Sequence, residues 1–330
     1  MRQKLRKILV TGGAGFIGSA FIRLVATKGA KVVVIDKLTY AADLIRLHEV
    51  EGQYKFYKAD ICNGDGLEKV FRKEKPEVVV NFAAETHVDR SIKDASVFID
   101  TNIKGTQVLL DVSRKYKVER FVHISTDEVY GEIKKGEFSE SSPLQANSPY
   151  AASKAAADLL IKAYVRTYGF PAIIIRPCNN YGPWQYPEKF IPLGILKILR
   201  GEKIPVYGKG RNVREWLYVQ DCAKGILEIV KKARIGEIYN LGSSQEKRNI
   251  EIAGMLLNIL KVDKNNIQFV KDRPGHDIRY KLNSDKTFQE AGWRSEVDLA
   301  FGLKLTVGWC LKNKSWLLSK WEKIAPLYKR

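Results

Sequence analysis

Residues 7–25 read KILVTGGAGFIGSAFIRLV, an apolar β-branched run, then Gly12, Gly15 and Gly18, then a helical stretch expected over 15–28. Glycine allows the tight turn and lets backbone approach a pyrophosphate, which then rests on the unpaired N–H groups of a helix N-terminus. Phe16 and Ile17 lie within that turn. A second β-branched run over 31–35 is followed by Asp36, eighteen residues beyond Gly18. An acid there accepts hydrogen bonds from the adenosine ribose and repels a 2′-phosphate, so the pattern predicts NAD rather than NADP.

Working outward, further strands are expected over 54–57, 77–81, 120–125 and 172–176, separated by segments of helical length such as 95–116. Apolar strands alternating with helices make an α/β fold, a Rossmann-type doubly wound parallel sheet covered on both faces. Lys58–Ile61 and Asn81–His87 finish the third and fourth strands, where such a sheet opens its ligand crevice. After Arg176 the rhythm breaks at PCNNYGPWQYPEK, punctuated by proline and glycine. Residues 1–176 are therefore read as the dinucleotide-binding domain, with a return segment at about 217–242. Residues 177–330 form a second, smaller mixed α/β lobe, with helices expected over 190–200, 221–232, 250–260 and 299–312.

The chain has 330 residues and a net charge of +19, with 56 Lys and Arg against 37 Asp and Glu. The basic residues are dispersed, densest in the first seven positions and from Lys304 onward, which argues against a nucleic-acid footprint. Cys62, Cys178, Cys222 and Cys310 form no Cys-x-x-Cys pair, so reduced thiols in a cytoplasmic protein are expected. His48, His87, His123 and His276 match no zinc spacing, and no metal is expected. The basic start MRQKLRKILV is interrupted by TGGAGFIG, unlike a signal peptide, and no run is long enough to span a bilayer.

Two further stretches carry chemistry. SPYAASKAAADLL places Tyr150 and Lys154 four residues apart on one helix face. An ammonium near a phenol lowers the phenol's pKa, so Tyr150 is expected to take a proton from a sugar hydroxyl while the carbon beneath gives hydride to NAD. HISTDEVYG, residues 123–131, ends a buried strand with Thr126, Asp127 and Glu128. Two adjacent carboxylates at a core edge are costly unless each has a partner or a task.

With these motifs the chain resembles the extended short-chain dehydrogenase/reductase superfamily. VTGGAGFIGS, IDKLTYA, AAETHVDRSI, HISTDEVYG, NNYGPWQYPEK, REWLYVQD and DRPGHDIRY together resemble its nucleotide-sugar 4,6-dehydratases, over about residues 7–310. The resemblance implies NAD-dependent oxidation at C4, loss of water across C5–C6 and return of hydride to C6, a lyase reaction that regenerates NAD. It makes Glu128 the base at C5, Asp127 the acid for the departing C6 hydroxyl, and Thr126 a hydrogen-bond partner of the C4 oxygen. An acid and a base held apart by different surroundings answer the cost of the pair. Beyond the glycine turn and Asp36, the cofactor is expected to meet Lys37, Leu38, Thr39, Asp60, Ile61, Ala83, Ala84, Thr101 and Asn180, with Tyr150 and Lys154. Thr86, Asn179 and Lys189 are implied substrate contacts, and Arg214, Asn249, Arg273 and His276 the grip on a nucleotide diphosphate.

Thr86 stands where many members carry serine, and Arg176-Pro177-Cys178 looks more like sugar-nucleotide epimerases and decarboxylases. A hexose on thymidine diphosphate is the first expectation, with uridine diphosphate as an alternative. A 4-epimerase or decarboxylase on the same scaffold would have no use for Asp127. A non-catalytic dinucleotide-sensing or RNA-binding protein would need none of the five reactive side chains. The resemblance also implies a homodimer packed through the Tyr150 helix and the segment over 95–116.

Overall fold

The computed structural model describes residues 7–328; the basic positions among the first six residues lie outside the described residues. Seven strands form one parallel sheet: β1 (Lys7–Thr11), β2 (Lys31–Asp36), β3 (Tyr54–Lys58), β4 (Val78–Asn81), β5 (Arg120–Ile124), β6 (Ala172–Pro177) and, after β7 (Asn179–Tyr181), β8 (Ile204–Tyr207) and β9 (Val213–Tyr218), β10 (Ile238–Leu241). Their order is β3-β2-β1-β4-β5-β6-β10, and every pairing is parallel. The chain reverses direction across the sheet between β1 and β4, so the carboxyl ends of these strands open into a crevice there. Val, Ile and Leu fill β1, β2, β4 and β6, buried on both faces as parallel strands must be.

The expected strands are met within one or two residues at their ends. Helices Phe190–Leu199, Val219–Lys232, Asn249–Leu260 and Leu299–Lys312 also fall where expected. The segment over 95–116 differs: it is a short helix Ser96–Phe98, a π-helical stretch Ile99–Lys104, then helix Gly105–Lys115. The widened turn brings Asn102 inward, where its amide holds both the N–H and C=O of Glu85 and donates to Ser153. A π turn at such a junction is a common functional adaptation. Here it ties the loop after β4 to the Tyr150 helix.

The second lobe carries a three-stranded sheet, β11 (Glu246–Arg248)-β9-β7, and a pair, β12 (Ile267–Val270)-β8. Its own core gathers Ile191, Ile195, Leu196, Ile252, Leu256 and Leu303. Strand β10 leaves this lobe to pair with β6, and helix Val219–Lys232 packs on the first helix, Phe16–Ala26. Arg46, 0% exposed, bolts the lobes together: its guanidinium donates to the carbonyls of Ala14, Ala41 and Trp184. The indole of Trp316 lies under the same guanidinium.

Candidate active site

The glycine turn has no room for side chains. A Cβ on Gly12, whose φ is +66°, would sit 2.6 Å from the Ala83 nitrogen, and one on Gly18 would sit 2.5 Å from the Gly12 oxygen. The turn is thereby pressed against the loop after β4, and the first helix begins at Phe16 facing the cleft. Asp36 ends β2 at the cleft's edge, its oxygens oriented by the N–H groups of Ala14 (3.0 Å) and Leu38 (2.8 Å). Each oxygen keeps a lone pair for a ribose hydroxyl. The close-approach turn, the free helix N-terminus and the oriented acid fit a dinucleotide.

One cleft is lined by Gly12, Gly15, Phe16, Ile17, Gly18, Asp36, Lys37, Thr39, Asp60, Ile61, Ala83, Ala84 and Thr101, and also by Thr86, Thr126, Asp127, Glu128, Tyr150, Lys154, Asn179, Asn180 and Lys189. It thus brings the glycine turn and the reactive side chains into one space. Lys37 spans Asp60 (3.4 Å) and Thr101 (3.2 Å) across the cleft floor. Leu38 is absent from this lining; with φ at +60° its N–H donates to Asp36 Oδ1 at 2.8 Å.

Thr126 caps the 3-10 turn Asp127–Tyr130 that follows β5. Its hydroxyl accepts from the Glu128 N–H at 3.3 Å and donates to Asp127 Oδ1 at 3.2 Å. Asp127 Oδ2 is buried with no hydrogen-bond partner. Burial first, then the Glu128 charge, holds the Asp127 carboxyl well above its usual range, which favours its protonated form. Glu128 is partly exposed to the cleft; burial raises its pKa too, but Arg273, Arg214 and Lys189 oppose that rise. The two carboxyls thus sit in different surroundings, Asp127 buried beside Thr126 and Glu128 facing the cleft and the second-lobe cations.

Tyr150 and Lys154 share a buried face of helix Pro149–Tyr168. The expected effect of the lysine on the phenol is corrected by the geometry. Lys154 Nζ turns to the Ile124 carbonyl (2.7 Å) and His123 Nε2 (3.1 Å), while burial and Glu128 push the Tyr150 pKa up. Behind Lys154, His123 Nδ1 lies 3.1 Å from the Asn81 amide, which accepts from Thr11 at 2.6 Å. Burial lowers the Lys154 pKa to about 8.

Arg214, Asn249, Arg273 and His276 lie outside the cleft lining, on the second lobe. Arg214 stacks on Tyr280 and donates to the Asp277 carbonyl at 2.8 Å; Arg273 reaches Asp89 at 3.5 Å; His276 Nδ1 meets Asp272 at 2.6 Å. The Arg214 and Arg273 charges act on Glu128, whereas Asn249 starts helix Asn249–Leu260 with its N–H on the Asn212 carbonyl. Lys189 reaches the Thr86 carbonyl at 2.8 Å. Sequence reasoning passed over Glu188, which is buried beside Arg90 and accepts from Tyr40 at 2.9 Å. It also passed over His123, whose signal was a histidine inside an otherwise apolar strand.

The family model described as GDP-mannose 4,6 dehydratase matches residues 9–306. The chain belongs to this family. Within it, a dTDP-glucose 4,6-dehydratase of Streptomyces niveus is 45% identical over 324 residues, covering 96% of this chain and 95% of that one. One from Shigella flexneri is 43% identical over 340 residues, covering 94% of each. The solved dTDP-glucose 4,6-dehydratase of Streptomyces venezuelae, with NAD bound, superposes with a TM-score of 0.92 at 47% identity, covering 94% of this chain and 98% of that one. A UDP-glucose 4-epimerase of Thermotoga maritima gives 0.88 at 31%, covering 93% and 99%. The family fold is therefore common to both chemistries, and the reactive side chains must separate them.

Proposed function

We propose that the protein is an NAD-dependent lyase that converts dTDP-glucose to dTDP-4-keto-6-deoxyglucose. The observation that carries this reading is Asp127, a buried carboxyl with an unpartnered oxygen, beside Glu128 and Tyr150 in the cleft of the glycine turn. A 4-epimerase has no leaving hydroxyl to protonate, and the buried acid would serve it nothing.

Bound NAD supplies the hydride acceptor that takes hydrogen from C4 and returns it at C6, and its positive ring favours the Tyr150 phenolate. Tyr150 removes the C4 hydroxyl proton, with Thr126 hydrogen-bonded to the same oxygen. The resulting ketone acidifies C5, whose proton Glu128 takes while Asp127 protonates the C6 hydroxyl as it leaves. Glu128 then returns a proton to C5. Gly12, Gly15, Gly18 and Asp36 hold the dinucleotide, and the arginines of the second lobe hold the nucleotide diphosphate, for which the guanidinium fork is suited.

A homodimer is part of this proposal. Segment 96–104 packs on the Tyr150 helix, and Val97, Ile99 and Leu159 remain exposed there. A monomeric mass by light scattering would remove it. The four free cysteines, three of them buried, suit a reducing cytoplasm. Among the described residues, no helix is long and apolar enough to cross a membrane.

The test is incubation with dTDP-glucose and UDP-glucose in deuterated water, followed by mass spectrometry. Loss of one water with deuterium at C5 from dTDP-glucose is the expected result. A 4-epimer without water loss would replace this function with epimerisation, and faster turnover of UDP-glucose would replace the base.

A further inference from the structure

Two short helices, Lys314–Ser319 and Trp321–Tyr328, end the described chain, beyond the residues that the family model matches. Leu317 and Ile324 seat them in the core of the second lobe. Trp316 and Lys320 reach instead to the first lobe. The Trp316 indole N–H donates to Asp43 Oδ2 at 2.9 Å, and Lys320 Nζ donates to the same oxygen at 2.6 Å. The two residues are one helical turn apart, so they address one carboxylate from one face. Burial alone would raise the Asp43 pKa, but the hydrogen bonds from Lys320, Trp316 and the Ile45 N–H outweigh it and lower the pKa from its usual value.

Asp43 stands in the wall of the cofactor cleft, where Thr39, Ala41, Ala42 and Arg46 on either side of it contribute to the lining. Its N–H donates to the Ala14 carbonyl at 3.0 Å, and Arg46 donates to the same carbonyl at 2.7 Å. Ala14 lies inside the glycine turn, and its own N–H orients Asp36 Oδ2. One carboxylate and one carbonyl therefore join the tail to the turn. The Trp316 ring supports the same wall, with the Arg46 guanidinium 5.6 Å from its centroid. It also packs edge-on against Trp184, their centroids 5.3 Å apart. Trp184, at φ +70°, precedes Gln185 and Tyr186, which line the cleft as well. Neither Trp316 nor Lys320 is part of that lining.

We infer that Trp316 and Lys320 form a latch that retains NAD by holding segment 39–46 against the glycine turn through Asp43. They are positioning residues that act on the dinucleotide only through the wall they hold. Moving that wall away breaks two hydrogen bonds to a carboxylate, the stronger kind. The inference rests on NAD as the cofactor. Slow release suits the proposed reaction, which regenerates NAD within each turnover and so has no step in which the dinucleotide must leave.

Release of radiolabelled NAD from the loaded protein, chased with excess unlabelled NAD, tests this without any sugar substrate. Lys320→Met and Trp316→Phe, the latter keeping a ring but not the N–H, should each speed release on the order of 10-fold. Lys320→Arg should release NAD as the wild type does. Lys320→Met combined with Asp43→Asn should be no faster than the faster single variant, because both break one contact. Leu256→Ala, which loosens the second-lobe core away from the latch, should lose stability to urea with release unchanged. Unchanged release in Lys320→Met, multiplied effects in the double variant, or equal acceleration in Leu256→Ala would each overturn the latch. A wild type that forms no 4-keto-6-deoxy sugar yet shows these release rates would sink the dehydratase reading and leave the latch standing.

Discussion

Lys154 Nζ lies 3.1 Å from His123 Nε2 and 2.7 Å from the Ile124 carbonyl, so the lysine is held by strand β5. Burial and the lysine charge keep His123 neutral, its pKa well below the usual imidazole value. A neutral imidazole accepts the ammonium at Nε2. Its Nδ1 lies 3.1 Å from the Asn81 amide nitrogen, and the Asn81 oxygen accepts from the Thr11 hydroxyl at 2.6 Å. The placement of this ammonium thus depends on a buried chain reaching β1.

Activity should fall on the basic side as the Lys154 ammonium is lost near its depressed pKa of about 8. Asp158, one turn further along the helix, is the anion that raises it, and it is paired with Arg176 at 2.9 Å. Asp158→Asn removes that anion and leaves Arg176 positive nearby, so the basic limb of kcat/KM should move to lower pH. An unmoved limb would show that Lys154 does not set it.

Asp127→Asn should lower turnover by roughly 10²–10⁴-fold, the usual worth of a positioned acid. C4 oxidation should survive, because Tyr150 and Lys154 are untouched. Single-turnover absorbance of reduced nicotinamide should therefore rise and persist. Full activity in this variant would assign the acid elsewhere.

The same substitution should raise stability at neutral pH. The folded pKa of Asp127 lies above that of the unfolded carboxyl. Below about pH 4 both states are protonated and no penalty exists. As pH rises further, the unfolded chain releases its proton while the folded one does not, so wild-type stability falls by about 1.4 kcal/mol per pH step until the folded pKa is reached. The advantage of Asp127→Asn, measured by urea unfolding, should grow from pH 4 to pH 7; parallel curves would contradict it.

Gly18→Ala should cost about 1–3 kcal/mol, since the added carbon would meet backbone on both Gly12 and Gly13. NAD affinity, measured by calorimetry, should fall with it. Gly254 is the control: it lies in helix Asn249–Leu260 with open space at its Cβ. Gly254→Ala should be neutral or stabilising by about 0.5–1 kcal/mol.

Arg46→Met should destabilise by about 3 kcal/mol, because the carbonyls of Ala14, Ala41 and Trp184 lose their donor. Two of these carbonyls flank the cofactor cleft, so NAD binding should weaken as well. An unchanged denaturation midpoint would mean that water replaces the guanidinium.

What could be read in the sequence was what local patterns encode. Strands β1, β2, β4 and β6 announce themselves as β-branched runs, and the glycine turn carries its own steric demand. Thr126, Asp127, Glu128, Tyr150 and Lys154 were legible as short motifs. The π turn at Asn102 was not, since its cause is a set of partners at Glu85 and Ser153, distant in sequence. Arg46 lies in a short, unremarkable 3-10 turn, and only the assembled fold supplies its carbonyls. The effect of Lys154 on Tyr150 was misjudged because the ammonium's direction depends on His123, on another strand.

Strand β10 has a consequence for how the chain is made. The sheet's last strand follows most of the second lobe in sequence, so β6, all of it buried in the finished fold, emerges from the ribosome long before its neighbour. An unpaired apolar edge recruits other chains. The interval between synthesis of residues 177 and 238 is thus the period of greatest aggregation risk. A fragment ending at 176 should precipitate, and slowing translation within that interval should lower the soluble yield of the whole protein.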